Sequence, residues 1–381
     1  MSEWKEYKLG EVASFVKEKV AVQSIATDDY VSTENMLSNK GGITLASGKP
    51  EEGTITKYYP NTILVSNIRP YFKKIWYADK AGGCSNDVLC FEAKESIVDS
   101  KYLFFLLSQD MFFDYVMLGS KGCKMPRGDK AHIMNWDISL PSLDEQRRIA
   151  SILTSLDDKI DLLRRENATL EAMAETLFRQ WFVVEAKEEW EEGKLGDYVD
   201  VVDNRGKTPP YVNHVTEYPI IEVNALTGNE RHVNYDAVRK YVTKEVKDSW
   251  FRGYLQKNDI LVSTVGSIGE LAMCLEEKGV IAQNVIALHA SKISPFYLYQ
   301  YLLLNKDDLK GLDIGSVQPS IKVPHLLRMP IVLPPINLLN KYDSIMLEVI
   351  EKEKNNNKQI QTLIQTRDGL LPRLMSGEIK I

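Results

Sequence analysis

Apolar residues recur every seven positions along a stretch that begins after Pro141. They form two interleaved series, with Asn167 interrupting the second: Ile149, Leu156, Leu163, Leu170 and Leu177, and Leu153, Ile160, Ala174 and Trp181. A seven-residue spacing kept over about five heptads predicts the seam of a coiled coil. A helix of about 40 residues would span roughly 60 Å, which exceeds the expected width of either flanking globular segment.

The same pattern returns near the end of the sequence. A shift of 193 residues predicts a second seam at Val349, Leu363 and Leu370 and at Met346, Ile360 and Leu374. Glu353, Asn356 and Arg367 interrupt this seam, and Pro372 should end or kink the helix. We expect the two helices to pack antiparallel, with a globular unit at each end and a pseudo-twofold axis relating them. Buried Asn167 and Asn356 would fix their register.

The rest of the chain also repeats, with a period near 190 residues. Short words recur in the same order: Trp4 with Lys8-Leu9-Gly10 and Trp190 with Lys194-Leu195-Gly196, Ile63–Ser66 and Ile260–Ser263, Gly119-Ser120 and Gly315-Ser316, and Leu140-Pro141 and Leu333-Pro334. Each copy has short β-type runs among Gly and Pro turns and one helical patch, at 102–113 and 296–304. Strands do not alternate regularly with crossover helices, so the pattern favours an α+β fold.

Composition agrees with two or three folded domains in a chain of 381 residues that is 44% hydrophobic and 26% charged. No stretch approaches the roughly 20 apolar residues of a membrane span, and the four cysteines show no paired spacing. We therefore expect a cytoplasmic protein with reduced thiols. Residues 143–192 hold 13 acidic and 7 basic residues, which accounts for the net charge of −6. The rest of the chain is thus neutral overall and can hold basic patches.

Basic residues cluster in both copies. Arg69, Lys73 and Lys74 lie among tyrosines and tryptophans, and Lys121, Lys124 and Arg127 lie among glycines. The second copy has Arg205 and Lys207 in a Gly/Pro loop, followed by Arg231, Arg239, Lys240, Lys244 and Lys247. Lys and Arg bind phosphates, Arg reads guanine edges, and Asn or Gln can read adenine. These clusters favour DNA as a partner, against the alternative of an ordinary solvated surface.

Candidate catalytic motifs are incomplete. Arg205-Gly206-Lys207-Thr208 resembles the end of a P-loop, but Val201 stands where its first glycine belongs and Pro209-Pro210 prevents a helix from starting. Thr208-Pro209-Pro210-Tyr211 resembles a word of adenine methyltransferases, yet threonine cannot hold an amino group as asparagine does. Neither motif predicts an active site.

A nuclease site is the remaining catalytic alternative. Asp87, Glu92 and Lys94 fit a loose acidic, acidic, lysine pattern, although they fall on a predicted strand. The five histidines have no metal-ligand spacing with each other or with the cysteines. We expect neither a metal site nor a catalytic centre.

Longer words in the sequence belong to a recognisable family. They are 139–149 (SLPSLDEQRRI) running into 156–160 (LDDKI), 30–36 (YVSTENM), 206–211 (GKTPPY), 261–269 (LVSTVGSIG) and the two Trp…Lys-Leu-Gly starts. Over nearly its whole length the chain resembles the specificity subunits of type I restriction–modification systems. It departs where Asn337-Leu338-Leu339 replaces Asp144-Glu145-Gln146, and where the first copy lacks the Thr-Pro-Pro loop. These differences imply different docking contacts and different target sequences.

The resemblance implies a non-catalytic DNA reader with target-recognition domains at 1–141 and 185–334, a central conserved helix at 142–184, and a distal helix and tail at 335–381. It implies a bipartite DNA target and two methyltransferase subunits docked on the helices, through residues such as Gln146, Arg147, Asp157 and Asp158. S-adenosylmethionine would bind the methyltransferase. A restriction subunit would use ATP and Mg²⁺, and this chain would bind no cofactor itself.

The DNA-contact hypothesis assigns basic and polar loop residues to two half-sites. One half-site would be contacted by Arg69, Lys73, Lys74, Lys121, Lys124 and Arg127, and the other by Arg205, Lys207, Thr208, Ser267, Gln318 and Lys322. Two alternatives remain open. The chain could be a coiled-coil adaptor with two protein-binding modules, or an enzyme that uses Asp87 and Glu92.

Overall fold

The computed structural model describes residues 4–122, 124–206, 208–228, 231–315 and 318–381. The chain forms two compact units. The first contains residues up to Asp161 together with 359–381, and the second contains 162–358. Each unit includes one end of each long helix, so these units do not follow the predicted boundaries at 141, 184 and 334, which stay a prediction.

The first unit combines short helices with sheets that are antiparallel except for the parallel pair β4–β8. Its strands are β1 (Lys5–Lys8), β2 (Ala13–Phe15), β3 (Lys19–Ala21), β4 (Tyr30–Val31), β5 (Thr54–Tyr58), β6 (Ile63–Ser66), β7 (Ile75–Tyr77), β8 (Gly82–Cys84), β9 (Val88–Ala93) and β10 (Asp137–Leu140). Its helices are α1 (Leu9–Val12), α2 (Ser100–Leu107), α3 (Asp110–Leu118) and α4 (Lys130–Met134), followed by the first long helix, α5 (Leu143–Arg179). The sheet orders are β1-β10, β2-β9-β6-β7 and β3-β5-β8-β4.

The second unit repeats this plan. A single π-helical turn, Gln180–Val184, ends the first long helix. The strands are β11 (Glu191–Lys194), β12 (Val199–Val202), β13 (Tyr218–Ile221), β14 (Tyr241–Val242), β15 (Asp259–Ser263), β16 (Leu271–Cys274), β17 (Val280–Ile281), β18 (Val285–Ala290) and β19 (Pro330–Leu333). The helices are α6 (Lys244–Trp250), α7 (Pro295–Leu304), α8 (Lys306–Gly311), α9 (Val323–Leu326) and the second long helix, α10 (Ile336–Met375).

Matching sheets confirm the internal repeat. The order β2-β9-β6-β7 in the first unit corresponds to β12-β18-β15-β16 in the second. The β1–β10 pair, with Lys5 opposite Leu140, corresponds to β11–β19, with Glu191 opposite Leu333. The repeated word Ile63–Ser66 forms β6, whose four residues are all buried, because an inner strand covered on both faces is apolar throughout. The predicted α+β class is confirmed.

The long helices pack antiparallel within each unit, as predicted. In the first unit, Ile149 and Leu153 of α5 share a core with Leu371 and Leu374 of α10. In the second unit, Tyr342 of α10 donates a hydrogen bond to the carbonyl of Ala174 at 3.4 Å and stacks edge-on against Phe178. Rising numbers on one helix therefore meet falling numbers on the other. Of these residues, the heptad pattern identified Ile149, Leu153, Ala174 and Leu374. It missed the buried residues Tyr342, Leu371, Phe178 and Phe182.

Two asparagines that interrupt the seams meet in the second unit. Asn356 is fully buried, and its amide donates to Oδ1 of Asn167 at 2.8 Å and to Oε2 of Glu166 at 3.0 Å. Asn167 in turn donates to Oδ1 of Asn357 at 2.8 Å. Only one alignment of the two helices makes these bonds, so the pair specifies register as expected from buried polar residues in coiled coils.

The other interruptions of the second seam are also paired. Arg367 forms an ion pair with Asp157 of α5 at 2.8 Å, and Glu353 pairs with Arg231. α10 continues through Pro372 to Met375, so the proline does not end the helix.

Candidate nucleic-acid interface

Three loops of the first unit meet at one surface: the turn after β6, the loop before β9 and the loop before α4. Backbone hydrogen bonds join them. The N–H of Arg69 donates to the carbonyl of Pro126 at 2.8 Å, that of Asn67 to Asp87 at 2.8 Å, and that of Gly128 to Asn67 at 3.2 Å. The predicted clusters around Arg69 and Arg127, far apart in sequence, are therefore neighbours in the fold. We call this surface the first loop surface.

The second unit builds the same surface from equivalent residues. The N–H of Gly266 donates to the carbonyl of Pro319 at 3.0 Å, that of Thr264 to Asn284 at 2.7 Å, and that of Ile321 to Thr264 at 2.8 Å. These bonds match those of the first unit one for one. We call this the second loop surface. The duplication thus preserves the backbone of the surface while the side chains differ.

The first loop surface carries four exposed cations. Arg69 and Lys124 are exposed, whereas Lys121 pairs with Asp129 at 2.9 Å and Arg127 pairs with Asp87. The hydrogen bond from Lys121 holds the pKa of the Asp129 carboxyl at about 2. Ion pairs this exposed to water contribute little to stability, so a phosphate can compete for these cations.

Lys73 and Lys74 do not join this group. The Lys73 ammonium is only 28% exposed and pairs with Asp110 at 2.9 Å. The Lys74 ammonium donates to the carbonyl of Thr33 at 2.6 Å, and burial lowers its pKa. Both side chains hold loops of the first unit together. They are therefore engaged inside the unit, whereas the prediction had them contact DNA.

Arg205 also has an internal role. Its guanidinium donates twice to Asp203, at 2.9 and 2.7 Å, and once to Oγ1 of Thr264 at 3.1 Å. Arg205 thereby fixes its own loop against the second loop surface, through a threonine that sequence reasoning did not single out. Thr208 is exposed and accepts a 2.5 Å hydrogen bond from Gln283, and Lys207 lies outside the described residues.

Ser267, Gln318 and Lys322 are exposed on or beside the second loop surface. Gln318 lies against the turn, because a β-carbon on Gly266 would be 3.4 Å from its Nε2 atom. Lys322 precedes α9. The second loop surface thus has two uncharged polar side chains and one lysine, whereas the first loop surface has four cations.

Arg231, which we grouped with the basic residues of the second copy, is buried. Its side chain is 2% exposed and pairs with the equally buried Glu353 of α10 at 3.7 Å. The guanidinium also lies 5.6 Å from the ring centre of Tyr299. The arginine therefore connects its loop to the helix and is not part of a DNA-contacting patch.

The proposed docking residues on α5 differ in exposure. Arg147 and Asp158 are exposed, whereas Asp157 is engaged by Arg367. Burial raises the pKa of Asp157, and the guanidinium of Arg367 opposes that effect. Of these three residues, Arg147 and Asp158 present side chains that a second protein could reach.

Gln146 is not on a surface at all. Its side chain is 1% exposed; Oε1 accepts from the N–H of Asp99 at 2.9 Å, and Nε2 donates to the carbonyls of Ile97 and Pro141 at 3.1 and 2.9 Å. It fastens the start of α5 to the start of α2. The prediction that Gln146 docks a partner is therefore inconsistent with its position.

The second unit achieves the same attachment with other residues. Leu339 stands at the position equivalent to Gln146 and is buried. Asp343, one turn later on α10, accepts a hydrogen bond from Ser294, which caps α7. The sequence departure at 337–339 thus reflects a different internal attachment.

Replacing Gln146 with leucine should lower the free energy of unfolding by about 1–3 kcal/mol, because three buried backbone groups lose their hydrogen-bond partner. Urea denaturation measures the change. The exposed neighbour Arg147, replaced by leucine, should change it by less than about 0.5 kcal/mol. Equal stability of the two variants would contradict an internal role for Gln146.

The alternative nuclease residues are not assembled into a site. Asp87 is paired with Arg127, and Glu92 lies on β9 opposite Ser14. Among the residues that the structure describes, no group of three or more His, Cys, Asp or Glu side chains is placed to hold a metal ion. In the same residues, no helix is long and apolar enough to cross a membrane.

Comparison with known proteins places this architecture in a family. The profile of the type I restriction modification DNA specificity domain matches residues 1–172 and 187–365. The type I restriction enzyme MjaIX specificity subunit of Methanocaldococcus jannaschii is 26% identical over 76% of this chain and 71% of its own length. The HindI specificity subunit of Haemophilus influenzae is 22% identical over the whole of both chains. The crystal structure of a type I S subunit from M. genitalium superposes over 98% of this chain and 96% of its own, with a TM-score of 0.61 and 16% identity.

Proposed function

Since this chain belongs to the type I restriction modification DNA specificity family, we propose that it reads a bipartite DNA site, with one half-site for each unit. The family role is DNA sequence specificity, and the chain is a non-catalytic subunit. The observation that carries the bipartite proposal is the duplication of the loop surface, with the same backbone bonds in both units. Two copies of one reading surface suit a target with two parts.

Different side chains on the two surfaces support different half-sites. The first carries Arg69, Lys121, Lys124 and Arg127, whereas the second carries Ser267, Gln318 and Lys322, with Arg205 fixed behind it. Lysine and arginine on a rim position a duplex through its phosphates, and polar groups that reach base edges supply specificity.

The exposed faces of the long helices are the proposed docking sites for methyltransferase subunits, with Arg147 and Asp158 among the contacts. S-adenosylmethionine would bind in those subunits, and a restriction subunit would bring ATP and Mg²⁺. α5 has 37 residues, which corresponds to about 56 Å of helix at 1.5 Å per residue. We propose that the paired helices set the gap between half-sites, because one turn of B-DNA is roughly 34 Å long.

Salt dependence tests DNA binding directly. Fluorescence anisotropy would follow the full chain on duplexes of random sequence between about 50 and 200 mM salt. Each phosphate contact should contribute about −0.9 to the slope of log affinity against log salt. A steep negative slope is the expected result. Absent or salt-independent binding would contradict the proposal and favour a protein-binding adaptor.

A further inference from the structure

The turn after β6 contains two residues with left-handed backbone, Arg69 at φ 50° and Lys73 at φ 51°. The equivalent turn after β15 has Gly266 at φ 82° and Gly269 at φ 76°. Hydrogen bonds define the match between the two turns. The N–H of Ser66 donates to the backbone carbonyl of Lys74 at 3.0 Å, and the N–H of Ser263 donates to that of Glu270 at 2.9 Å. The second turn is one residue shorter, but both turns place left-handed residues at their start and end, a conformation that glycine adopts freely and other residues adopt with strain.

The turn after β6 has this strained conformation at two non-glycine residues, Arg69 and Lys73, and their side chains explain it differently. The Lys73 ammonium pairs with Asp110, so its side chain stabilises the unit. Arg69 is exposed, and its guanidinium contacts no carboxylate, carbonyl or aromatic ring among the residues that the structure describes. Strained non-glycine residues persist where function requires the side chain. Since no contact within the described part of the chain accounts for the conformation of Arg69, its guanidinium is suited to a ligand outside the chain.

The turn holds the backbone of Arg69 in a fixed place. The N–H groups of Asn39 and Lys40 donate to the carbonyls of Phe72 and Lys73, each at 2.8 Å. The rings of Tyr71 and Phe72 pack at 4.7 Å, and the N–H of Arg69 is bound to Pro126. A backbone fastened at three points is already ordered before a ligand binds, so only the side chain of Arg69 loses freedom on binding.

In the second unit a different group occupies this place. Gly266 has no side chain, and the carboxamide of Gln318 lies beside it. Gln318 immediately precedes Pro319, whose carbonyl accepts the equivalent backbone bond from Gly266. The first loop surface thus offers a guanidinium where the second offers a carboxamide. Arginine pairs bidentately with O6 and N7 of guanine, and glutamine with N6 and N7 of adenine.

We propose that Arg69 and Gln318 are equivalent base-reading groups, with Arg69 selecting a guanine in one half-site and Gln318 an adenine in the other. This inference rests on the proposed bipartite reading of DNA. It specifies the reading residue of each half-site, and it separates base contact from the phosphate contacts of Lys121, Lys124 and Arg127.

Selection from a library of random duplexes by the full chain, followed by sequencing, tests the assignment. Arg69→Gly should reduce the preference for guanine at one position at least tenfold and leave the other half-site unchanged. Its melting temperature should equal or exceed that of the parent, because glycine relieves the backbone strain. Arg69→Lys should keep overall affinity within a few-fold yet lose the same preference, since an ammonium cannot pair bidentately.

Gln318→Ala should relax a single adenine position in the opposite half-site. Asn258→Gly is the matched control, because Asn258 has φ 69° in the turn before β15, away from the loop surfaces. It should leave all preferences unchanged. An unchanged guanine preference in Arg69→Gly, or a lowered melting temperature with loss of both half-sites, would overturn the assignment. If the parent chain selects no two-part sequence, the proposed function fails instead.

Discussion

Replacing Glu353 with alanine should destabilise the second unit by roughly 3–5 kcal/mol, the largest stability effect that we expect from a single substitution. Glu353 and Arg231 face each other at 3.7 Å with side chains that are each 2% exposed. Removing the carboxylate leaves a guanidinium that water cannot reach and that cannot lose its proton at physiological pH. The loop that carries Arg231 should then detach from α10.

The position of the pair explains why the effect should spread. The N–H of Arg231 donates to Glu171 of α5 at 2.7 Å, so this residue contacts both long helices. The neighbouring Asn357 bonds His232 at 2.6 Å and also accepts from Asn167. Losing one buried charge should therefore weaken the attachment of residues 231–232 to the helices and the register of the helices within that unit.

Urea denaturation, with amide hydrogen exchange to locate the change, measures the effect. Lys352→Ala is the matched control, because the adjacent Lys352 pairs with Glu166 at 3.1 Å on the surface, where its side chain is 49% exposed. It should cost less than about 1 kcal/mol. The double variant Glu353→Leu with Arg231→Met should recover most of the stability, since an apolar pair replaces a buried ion pair. A loss below about 1 kcal/mol in Glu353→Ala would contradict this account.

Neutralising Lys121, Lys124 and Arg127 together with glutamine should weaken DNA binding on the order of 10- to 100-fold near 0.1 M salt. Each lost phosphate contact should also reduce the steepness of the log–log salt dependence by about 0.9. The half-site preferences should survive, because phosphate contacts position the protein without reading sequence. Anisotropy titrations over a salt series give both quantities.

A matched triple variant controls for total charge. Lys5, Lys17 and Lys101 are exposed, belong to the same unit and lie in other segments of the chain. Changing them to glutamine alters the net charge equally and should leave the salt dependence within about 0.5 of the parent slope. Equal losses in the two triple variants would mean that the first loop surface is not the site of contact.

Sequence periodicity was sufficient to predict the architecture. The repeated words predict the duplication. The seven-residue spacing predicts the long helices and their antiparallel packing, because each apolar stripe must be buried against a partner. Buried polar residues were not predictable in the same way. Gln146 and Arg231 are of residue types expected at the surface, and Glu353 was predicted only as an interruption of the second seam. Tertiary contacts give all three their partners in the interior.

The candidate site shows the same division. An aromatic-rich basic cluster identified Arg69, and a glycine-rich one identified Lys124 and Arg127. The fold brings these residues to one surface. Lys73 and Lys74 follow Arg69 closely in the sequence. Their ammonium groups nevertheless bind partners elsewhere in the unit, the Asp110 carboxylate and the Thr33 carbonyl. Alignment of the two copies places Gly266 opposite Arg69. That glycine was the sequence signal for left-handed backbone at Arg69.

An adenine-methylation map tests the central claim most directly. The chain would be expressed with its methyltransferase subunit in a host without other adenine methylation, with omission of the chain as the control. Residues 190–334 would then be replaced by the equivalent segment of a relative with another specificity. We predict a split motif with a fixed gap that requires the chain, and a replacement that changes one half of the motif only. An unsplit motif, or a replacement that changes both halves, would contradict a reader with one unit for each half-site.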